Sequence, residues 1–175
     1  MIKHIKIYDL IGFKICWLLC AFCTQWGQPY LGPVITLIFI LGHLFIVKFK
    51  IRDIKIILLA ILCGIIVDSS FSFFNIITYT GGILTNYNLA PFWILSMWGG
   101  FSLTMLYTLD SIKEKYFIST LLGVLGGPLS YSAGVEIGSL NIHSNASYIF
   151  LAIAWGAVIP LLFLYINKLE EQSNN

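Results

Sequence analysis

Long stretches without a charged residue constrain this chain more than any other feature of its sequence. Three of them cover residues 15–47, 69–109 and 137–167, with lengths of 33, 41 and 31 residues. An α-helix needs about 20 apolar residues to cross a bilayer, so the first two stretches are long enough for two crossings each. Both are interrupted by turn-forming residues, at 25–29 and at 78–88. The pattern therefore predicts a chain that crosses a membrane several times.

The composition points to the same surroundings. Only 10% of the 175 residues are charged and 58% are hydrophobic, whereas a soluble domain has about 25% charged residues. So few charges cannot cover a water-facing surface, which excludes a soluble enzyme and a nucleic-acid-binding module. We expect the lipid bilayer to be the main partner, and no nucleic acid.

We predict an all-α fold, a polytopic membrane helix bundle that forms a single transmembrane domain over residues 1–175. Its six transmembrane helices are placed near residues 10–26, 29–47, 54–74, 90–109, 116–140 and 147–166. Nine of the ten Lys and Arg residues lie at the termini or in alternate connections, and Lys14 lies one turn inside the first helix. The positive-inside rule then places both termini in the cytoplasm, and the loops near Gln28, Gly82 and His143 outside.

Three cysteines in the first predicted helix have the spacing of a metal centre. Cys16, Cys20 and Cys23 form the Cys-x3-Cys-x2-Cys pattern that holds an iron–sulfur cluster in some radical enzymes. Such a cluster is held by thiolates presented by a loop, whereas these cysteines lie in an apolar helical run, where cysteine packs as a small apolar residue. We therefore predict neither a metal site nor a cofactor.

Asp68 is a stronger candidate for a functional residue. It lies about 14 residues into the third predicted helix, so about 20 Å from its inner end. A carboxylate at that depth costs a few kcal/mol unless it is paired, neutralised or hydrated. Three interpretations stay open: a protonated or hydrogen-bonded Asp68 that joins helices through Ser69, Ser72 or Asn75, a polar contact in a ligand cavity, or a group that takes part in proton coupling.

Two other polar residues leave similar alternatives. Glu136 lies about 30 Å along the fifth helix from Tyr116, where it is either a surface carboxylate or part of a cavity rim. His43, near the inner end of the second helix, is either a hydrogen-bond donor between helices or a ligand contact.

The fifth predicted helix has the most distinctive pattern. Gly126, Ser130, Gly134 and Gly138 recur every four residues and predict a face where another helix packs closely. Pro128 removes a backbone donor and predicts a kink or an opened turn at Gly127-Pro128.

Backbone groups freed inside a membrane are tolerated only beside protein or water, and broken helices of this kind bind substrate in many transporters. A packing groove with a tolerated kink is the alternative to a binding site that would include Gly127, Pro128, Ser130 and Tyr131.

Motifs along almost the whole chain resemble one known family. In chain order they are Phe13-x3-Trp17, Gly32-Pro33, His43-Leu44, Gly64-x3-Asp68, Ala90-Pro91-x-Trp93-x4-Trp98-x2-Phe101-x2-Thr104, Gly123-x2-Gly126-Gly127-Pro128-Leu129-Ser130-Tyr131-x-Ala133-Gly134-x3-Gly138 and Trp155-x4-Pro160-Leu161-Leu162. With these residues the chain resembles the domain-of-unknown-function family 2878, and the block in the fifth helix is the specific part.

The resemblance implies a helical, multi-pass protein of the bacterial inner membrane, and it favours a lipid-like ligand. The sequence departs from the family pattern at Leu106-Tyr107-Thr108, where a cluster like Asn-His-Ser is expected, and at Lys14, where glutamine is expected. If that cluster is functional in the family, this member has lost or altered the activity.

Two classes of function remain from the sequence. The first is a small binding or transport component with an outer-facing polar cavity for a lipid-like or small apolar molecule, working with a membrane partner protein. The second is an intramembrane enzyme or an accessory factor in membrane-lipid modification. An enzyme needs its acid and base groups clustered, whereas His43, Asp68 and Glu136 are predicted at different depths, so binding is favoured. The predicted binding residues are Asp68, Asn75, Gly127, Pro128, Ser130, Tyr131, Glu136 and His43.

Overall fold

Helices make up 81% of the structure. A computed structural model describes residues 2–174, with side chains for residues 4–172, so the two end residues of the predicted domain lie outside it. The six α-helices of the described range are α1 (Ile2–Gln25), α2 (Leu31–Ile46), α3 (Lys50–Phe73), α4 (Phe92–Leu103), α5 (Tyr116–Ile137) and α6 (Asn145–Asn174). Within this described part of the chain, four segments are long and apolar enough to cross a membrane: His4–Gln25, Lys50–Phe73, Tyr116–Ile137 and Asn145–Gln172.

One end of the bundle carries a two-stranded antiparallel ribbon. Strand β1 (Ile77–Tyr79) follows α3, strand β2 (Leu140–Ile142) follows α5, and the two strands are paired. The α1–α2 connection lies at the same end, because the Ile83 amide donates a hydrogen bond to the Tyr30 hydroxyl at 3.1 Å. The three connections without Lys or Arg, residues 26–30, 74–91 and 138–144, therefore meet here, at what we call the ribbon end.

The opposite end, which we call the charged end, is held by ion pairs between distant parts of the chain. Arg52 of α3 donates to Glu170 of α6 at 3.0 Å, and Lys113 of the α4–α5 connection donates to the same carboxylate at 2.6 Å. Basic residues are therefore concentrated at the end away from the ribbon.

Buried apolar side chains form a core along the bundle axis. Trp93, Leu151 and Phe163 are almost completely enclosed. Large apolar side chains also cover the outside, and the exposed fractions of Phe45 and Phe117 are 83% and 82%. An apolar exterior around helices of this length is typical of a protein surrounded by lipid.

The cysteines of α1 face the interior of the bundle. Cys16, Cys20 and Cys23 have exposed fractions of 2%, 0% and 2%. The Cys20 sulfur lies 3.5 Å from the Thr36 hydroxyl of α2. Their position agrees with a packing role between helices.

Several helices extend beyond the predicted limits at the charged end. α1 begins at Ile2 rather than at residue 10, α3 at Lys50 rather than at 54, and α6 continues to Asn174 rather than ending at 166. The predicted limits assumed that charged residues end a transmembrane helix. Asp9, Asp53 and Glu170 instead stay helical because side chains of neighbouring helices pair with them.

The fourth predicted helix, 90–109, changes its geometry before it ends. α4 stops at Leu103, and Thr104–Thr108 forms one π-helical turn. Within this turn Tyr107 reaches α3 and donates to Asp53 at 2.7 Å. The second and fifth helices, predicted at 29–47 and 116–140, are observed at Leu31–Ile46 and Tyr116–Ile137.

α5 is continuous through Pro128, so the prediction of an opened turn at Gly127-Pro128 is wrong. The physical reason is the tight packing of α5 against α6. A Cβ atom on Gly127 would lie 2.5 Å from Cγ of Trp155, so the contact with α6 holds this part of the helix in place although Pro128 removes one backbone hydrogen bond.

Candidate functional site

Asp68 of α3 is fully buried, and three hydrogen-bond donors converge on its carboxylate. Oδ1 accepts from the Tyr79 hydroxyl at 2.6 Å and from the Tyr131 hydroxyl, and Oδ2 accepts from the Trp98 indole N–H at 2.6 Å. The donors belong to β1, α5 and α4. We call these four residues the Asp68 clamp, because they join four elements through one buried acid.

Small residues allow the clamp and its surroundings to pack. Gly64, one turn before Asp68, lies directly against the Trp98 indole, where a side chain would overlap it. Trp98 stacks on Trp155 of α6 with ring centroids 4.4 Å apart, and Gly127 of α5 lies against the same Trp155. The clamp is thereby connected to α6 through a pair of stacked tryptophans.

The ribbon is fixed to the bundle by the clamp. Burial, and then the charge of the adjacent Asp68, raise the pKa of Tyr79 in β1 well above its usual range. Tyr79 therefore keeps its proton and remains a donor. The Trp93 indole N–H adds a bond to the Thr80 carbonyl at 2.9 Å, so β1 is held over α3 and α4.

Beside the clamp lies a cleft with a volume of about 320 Å³. Small-molecule sites occupy about 300–1,000 Å³, so this cleft has room for one small ligand. Its walls come from α1, α4, the α4–α5 connection, α5, α6 and the start of β2, and most of its lining is apolar. We call it the aromatic cleft after its rings: Phe13, Trp17, Trp93, Trp98, Phe101, Tyr131 and Trp155.

The small residues of α5 create the space of the cleft. Gly126, Ser130 and Gly134 all line it. The sequence predicted that this face packs against another helix, but a Cβ atom on Gly126 would have no neighbour within 4 Å. The close contact with α6 is made instead by Gly127, one position further round the helix, together with Gly123.

The cleft opens at the side of the bundle, between α1 and α5. Lys14 of α1 and Leu122 of α5 are exposed members of its lining, whereas Trp93 and Trp98 of α4 and Ile159 of α6 are buried. In its apolar lining and its sideways opening, the aromatic cleft differs from the predicted outer-facing polar cavity.

A second buried polar group, which we call the His43 cluster, lies at the charged end. His43 has an exposed fraction of 1%, and its Nδ1 and Nε2 lie 2.7 Å from Asp9 and 3.2 Å from Asp53. Asp53 also accepts hydrogen bonds from Arg52 at 2.8 Å and from Tyr107 at 2.7 Å. Both ring nitrogens of His43 are therefore occupied by carboxylates, which leaves neither free for a substrate.

Ion pairs extend this cluster to the α4–α5 connection. Lys113 contacts Glu170 at 2.6 Å and Asp110 at 3.0 Å. Although burial opposes its charge, the two carboxylates raise the pKa of Lys113 above its ordinary value. The extended cluster thus holds α1, α2, α3, α6 and the α4–α5 connection together.

Four of the eight residues predicted as a site are brought together. Asp68 and Tyr131 meet in the clamp, and Gly127, Ser130 and Tyr131 line the aromatic cleft. Asp68 itself does not line the cleft, because Tyr131 and Trp98 stand between its carboxylate and the space.

The other four predicted residues lie elsewhere. Asn75 is exposed just after α3, in a left-handed conformation with φ of 52°. Glu136 is exposed on α5, and Pro128 is half-buried and lies outside the cleft lining. His43 belongs to the cluster at the charged end, so the predicted set divides between two regions.

Sequence reasoning missed Asp9 and Asp53 in the His43 cluster. Asp53 directly follows Arg52 and Asp9 lies three residues after Lys6, so both are close to the basic residues that mark the inner ends of the helices. One signal was available: Asp9 follows Ile7 and Tyr8 and precedes Leu10 and Ile11, so it is a lone acid in an apolar helical run, as Asp68 is.

The fold and the site define a class of protein: a helical bundle with long apolar helices typical of membrane spans, which encloses an aromatic cleft. The sequence model of a family described as "Protein of unknown function (DUF2878)" matches residues 6–161, and the chain belongs to this family. The family predicted from the sequence motifs is confirmed. No curated protein and no solved structure matches the chain.

Proposed function

We propose that this protein is a six-span membrane protein, a single domain of the bacterial inner membrane, that binds a lipid-like apolar molecule in the aromatic cleft. In this role it serves as a binding or transport component. The observation that carries the proposal is the cleft itself: about 320 Å³ of space, bordered by aromatic rings and open at the side of the bundle.

The connections at the two ends support six crossings. α1 ends at the ribbon end, where Gln25 lies against Gly138, and α2 ends at the charged end with His43. α2 and α4 therefore run the length of the bundle between the same two ends as the four longer helices. With basic residues concentrated at the charged end, the positive-inside rule places that end and both termini in the cytoplasm.

The position of the opening supports a ligand that arrives from the bilayer. α1 and α5, which border the opening, are both apolar enough to cross a membrane. A molecule dissolved among the lipid chains would reach the cleft without passing through water. Its apolar surface would pack on the rings, which bury large apolar areas.

One polar group inside the site is poorly satisfied. The indole N–H of Trp155 is buried and forms no well-aligned hydrogen bond with the described residues, although the Tyr131 hydroxyl lies close enough to interact with it. A lipid-like ligand with an oxygen atom in its chain or head group would offer this donor a better acceptor.

Binding is favoured over catalysis by the state of the acidic and basic groups. The oxygens of Asp68 and the ring nitrogens of His43 are engaged within the protein. Neither group is positioned to exchange a proton with a molecule in the cleft. The clamp instead fixes Trp98 and Tyr131, two rings of the cleft wall, in one orientation.

Mass spectrometry of ligand retained after purification in a mild detergent tests the proposal. We expect a small apolar or lipid-like molecule to be enriched with the wild-type protein and lost from Gly126→Trp, because the open space beside Gly126 takes the new ring. Leu129→Trp, at an exposed position of the same helix, is the matched control and should retain the ligand. Equal retention by both variants, or no enriched ligand in the wild type, would contradict the proposal.

A further inference from the structure

Lys14 is the one charged side chain in the lining of the aromatic cleft. It lies on α1 beside Phe13 and one turn before Trp17, both of which are also in the lining. No hydrogen bond or ion pair to Lys14 is formed by the side chains of residues 4–172. Lys14 is therefore an exposed cation at the opening of an apolar space, without a partner among those side chains.

Lys14 lies at the end of the cleft that is nearer the charged end of the bundle. Lys14 follows Asp9 of the His43 cluster by five residues, which is about 7.5 Å along a helix. Leu122, six residues into α5, lines the same end of the cleft, whereas Gly134, Ser139 and Leu140 line the end near the ribbon. The cleft thus has a cationic end towards the charged end of the bundle and an apolar remainder.

The cleft as a whole is elongated along the bundle. Its lining on α5 runs from Leu122, at the cationic end, to Gly134, a distance of about 18 Å at 1.5 Å per residue. On α4 the lining runs from Trp93 to Phe101. A volume of about 320 Å³ spread over such a length fits a single extended chain rather than a compact ring system.

Charge complementarity and shape together identify the occupant. We propose that the aromatic cleft binds a single-chain amphiphile with an anionic head group, whose head pairs with Lys14 and whose apolar chain lies along the aromatic rings towards the ribbon end. This inference rests on the proposed binding function and names its ligand class. The head is a carboxylate or a phosphate, since both are anions that an ammonium group binds.

A bound anion would explain why a lysine is tolerated at position 14. An ammonium group in or near the hydrocarbon region is unfavourable without a partner or water. A bound anion supplies the partner, and at the edge of a low-dielectric cleft their attraction is stronger than in water. The head group would occupy the opening between α1 and α5, so the amphiphile would enter chain first from the side.

Binding measurements with matched chains test the inference. Tetradecanoate, tetradecyl phosphate and tetradecanol are titrated into the whole protein in nanodiscs of zwitterionic lipid, at a pH where the carboxylate is ionised. We expect at least one anionic probe to bind about tenfold or more tightly than the alcohol, as a hydrogen bond to a charged group implies. Lys14→Gln should lower that affinity to the level of the alcohol.

Two further variants complete the test. Lys14→Arg keeps the charge and should keep the preference for an anion. Lys55→Gln removes an exposed lysine of α3 outside the cleft lining and should have no effect. Preference for tetradecanoate supports a fatty-acid-like ligand, and preference for tetradecyl phosphate supports a phosphate head group.

The failures are distinguishable. Equal binding of all three chains, or a preference that survives Lys14→Gln, would overturn the role of Lys14 and leave the proposed binding function standing. If none of the chains binds, while Gly126→Trp has no effect on retained ligand, both the inference and the proposed function are overturned.

Discussion

At Asp68, three donors from three different elements converge on one buried carboxylate. Each donor, if left unpaired, would cost about 1–3 kcal/mol, so the acid stabilises the bundle far more than an exposed side chain would. Asp68 is also the residue that the sequence marks most clearly, as the acid that separates two long apolar stretches.

We expect the loss of stability caused by a substitution of Asp68 to increase with the number of donors that it leaves unpaired. Asp68→Asn keeps one oxygen that can accept from the two tyrosines, but it places an amide donor opposite the indole N–H of Trp98. We therefore expect the free energy of unfolding to fall by about 1–3 kcal/mol. Asp68→Leu leaves all three donors unpaired and should cost more. Thermal unfolding in detergent measures both, and an Asp68→Leu protein as stable as the wild type would contradict the clamp.

A milder change separates the clamp from general effects of tyrosine substitution. Tyr131→Phe removes one donor to Asp68 while keeping the ring, and should lower stability by about 1–3 kcal/mol. Tyr87→Phe, at a largely exposed position between β1 and α4, is the matched control and should be nearly silent. Equal effects of the two substitutions would argue against a stabilising bond to Asp68.

His43 should be required for stability, because it separates two buried carboxylates. His43→Gln removes the partner of Asp9, whereas Asp53 keeps its bonds from Arg52 and Tyr107, and breaking a buried ion pair costs about 3–5 kcal/mol. His4→Gln is the exposed control. Adding Asp9→Asn to His43→Gln should restore part of the lost stability, as measured by unfolding. If the double variant is instead less stable than His43→Gln by the full effect of Asp9→Asn alone, the two residues act separately.

The partners of these residues could not be predicted from the sequence. Tyr79 lies 11 positions from Asp68, Trp98 lies 30 and Tyr131 lies 63. A buried acid predicts that donors exist, but it does not say which aromatic residue supplies them. Motif residues of the family such as Asp68, Trp98, Tyr131 and Trp155 are spread along the chain and meet only once the bundle is formed.

Among the elements, α5 has the clearest division of roles. Neighbouring glycines face different surroundings: Gly126 faces open space in the cleft, and Gly127 faces the indole of Trp155. The sequence predicted the spacing of the small residues correctly as a feature of one face. It could not say whether that face meets a helix or an empty space, because both require small side chains.

Alanine at these two positions should therefore act in opposite directions. Gly126→Ala adds a methyl group where nothing lies within 4 Å and improves helix propensity by up to about 1 kcal/mol, so stability should be equal or higher. Gly127→Ala forces Trp155 to move and should lower the melting temperature by several degrees. A destabilised Gly126→Ala with a stable Gly127→Ala would reverse the assignment of the two faces.

Helix limits show what charge patterns can and cannot predict. The uncharged stretches predict the central part of each helix well, since apolar runs identify the membrane-facing segment. They fail at α1, α3 and α6, where paired charges continue the helix. Such pairing depends on contacts between distant segments, which no local pattern contains.

For the whole molecule, the alternation of basic residues predicts its orientation. Single cysteines in a background without the native cysteines, carried by intact cells, test it with an impermeant thiol reagent. Positions 28, 87 and 143 at the ribbon end should be labelled, and positions 48 and 114 should be labelled only after the inner face is opened. The opposite pattern, or labelling of both sets, would refute six crossings with cytoplasmic termini.

The architecture was largely predictable, whereas the cleft was not. Six helices and their order follow from the apolar stretches and the turns between them. The space between α1 and α5 depends on how far apart these two helices lie, and this distance cannot be predicted from the sequence pattern of either helix. Of the predicted binding residues, Gly127, Ser130 and Tyr131 pointed towards it, but they were combined with Asp68 and Pro128, which lie outside the cleft lining.

Photo-crosslinking with peptide mapping can show whether the aromatic cleft binds a lipid. A single-chain probe with a diazirine along its apolar chain is activated with the whole protein in nanodiscs. We expect the labelled peptides to carry cleft residues such as Met97, Gly126 and Ser130, with labelling suppressed in Gly126→Trp and by excess unlabelled chain. Labelling confined to lipid-facing residues such as Leu125 and Leu129, unchanged in Gly126→Trp, would contradict it.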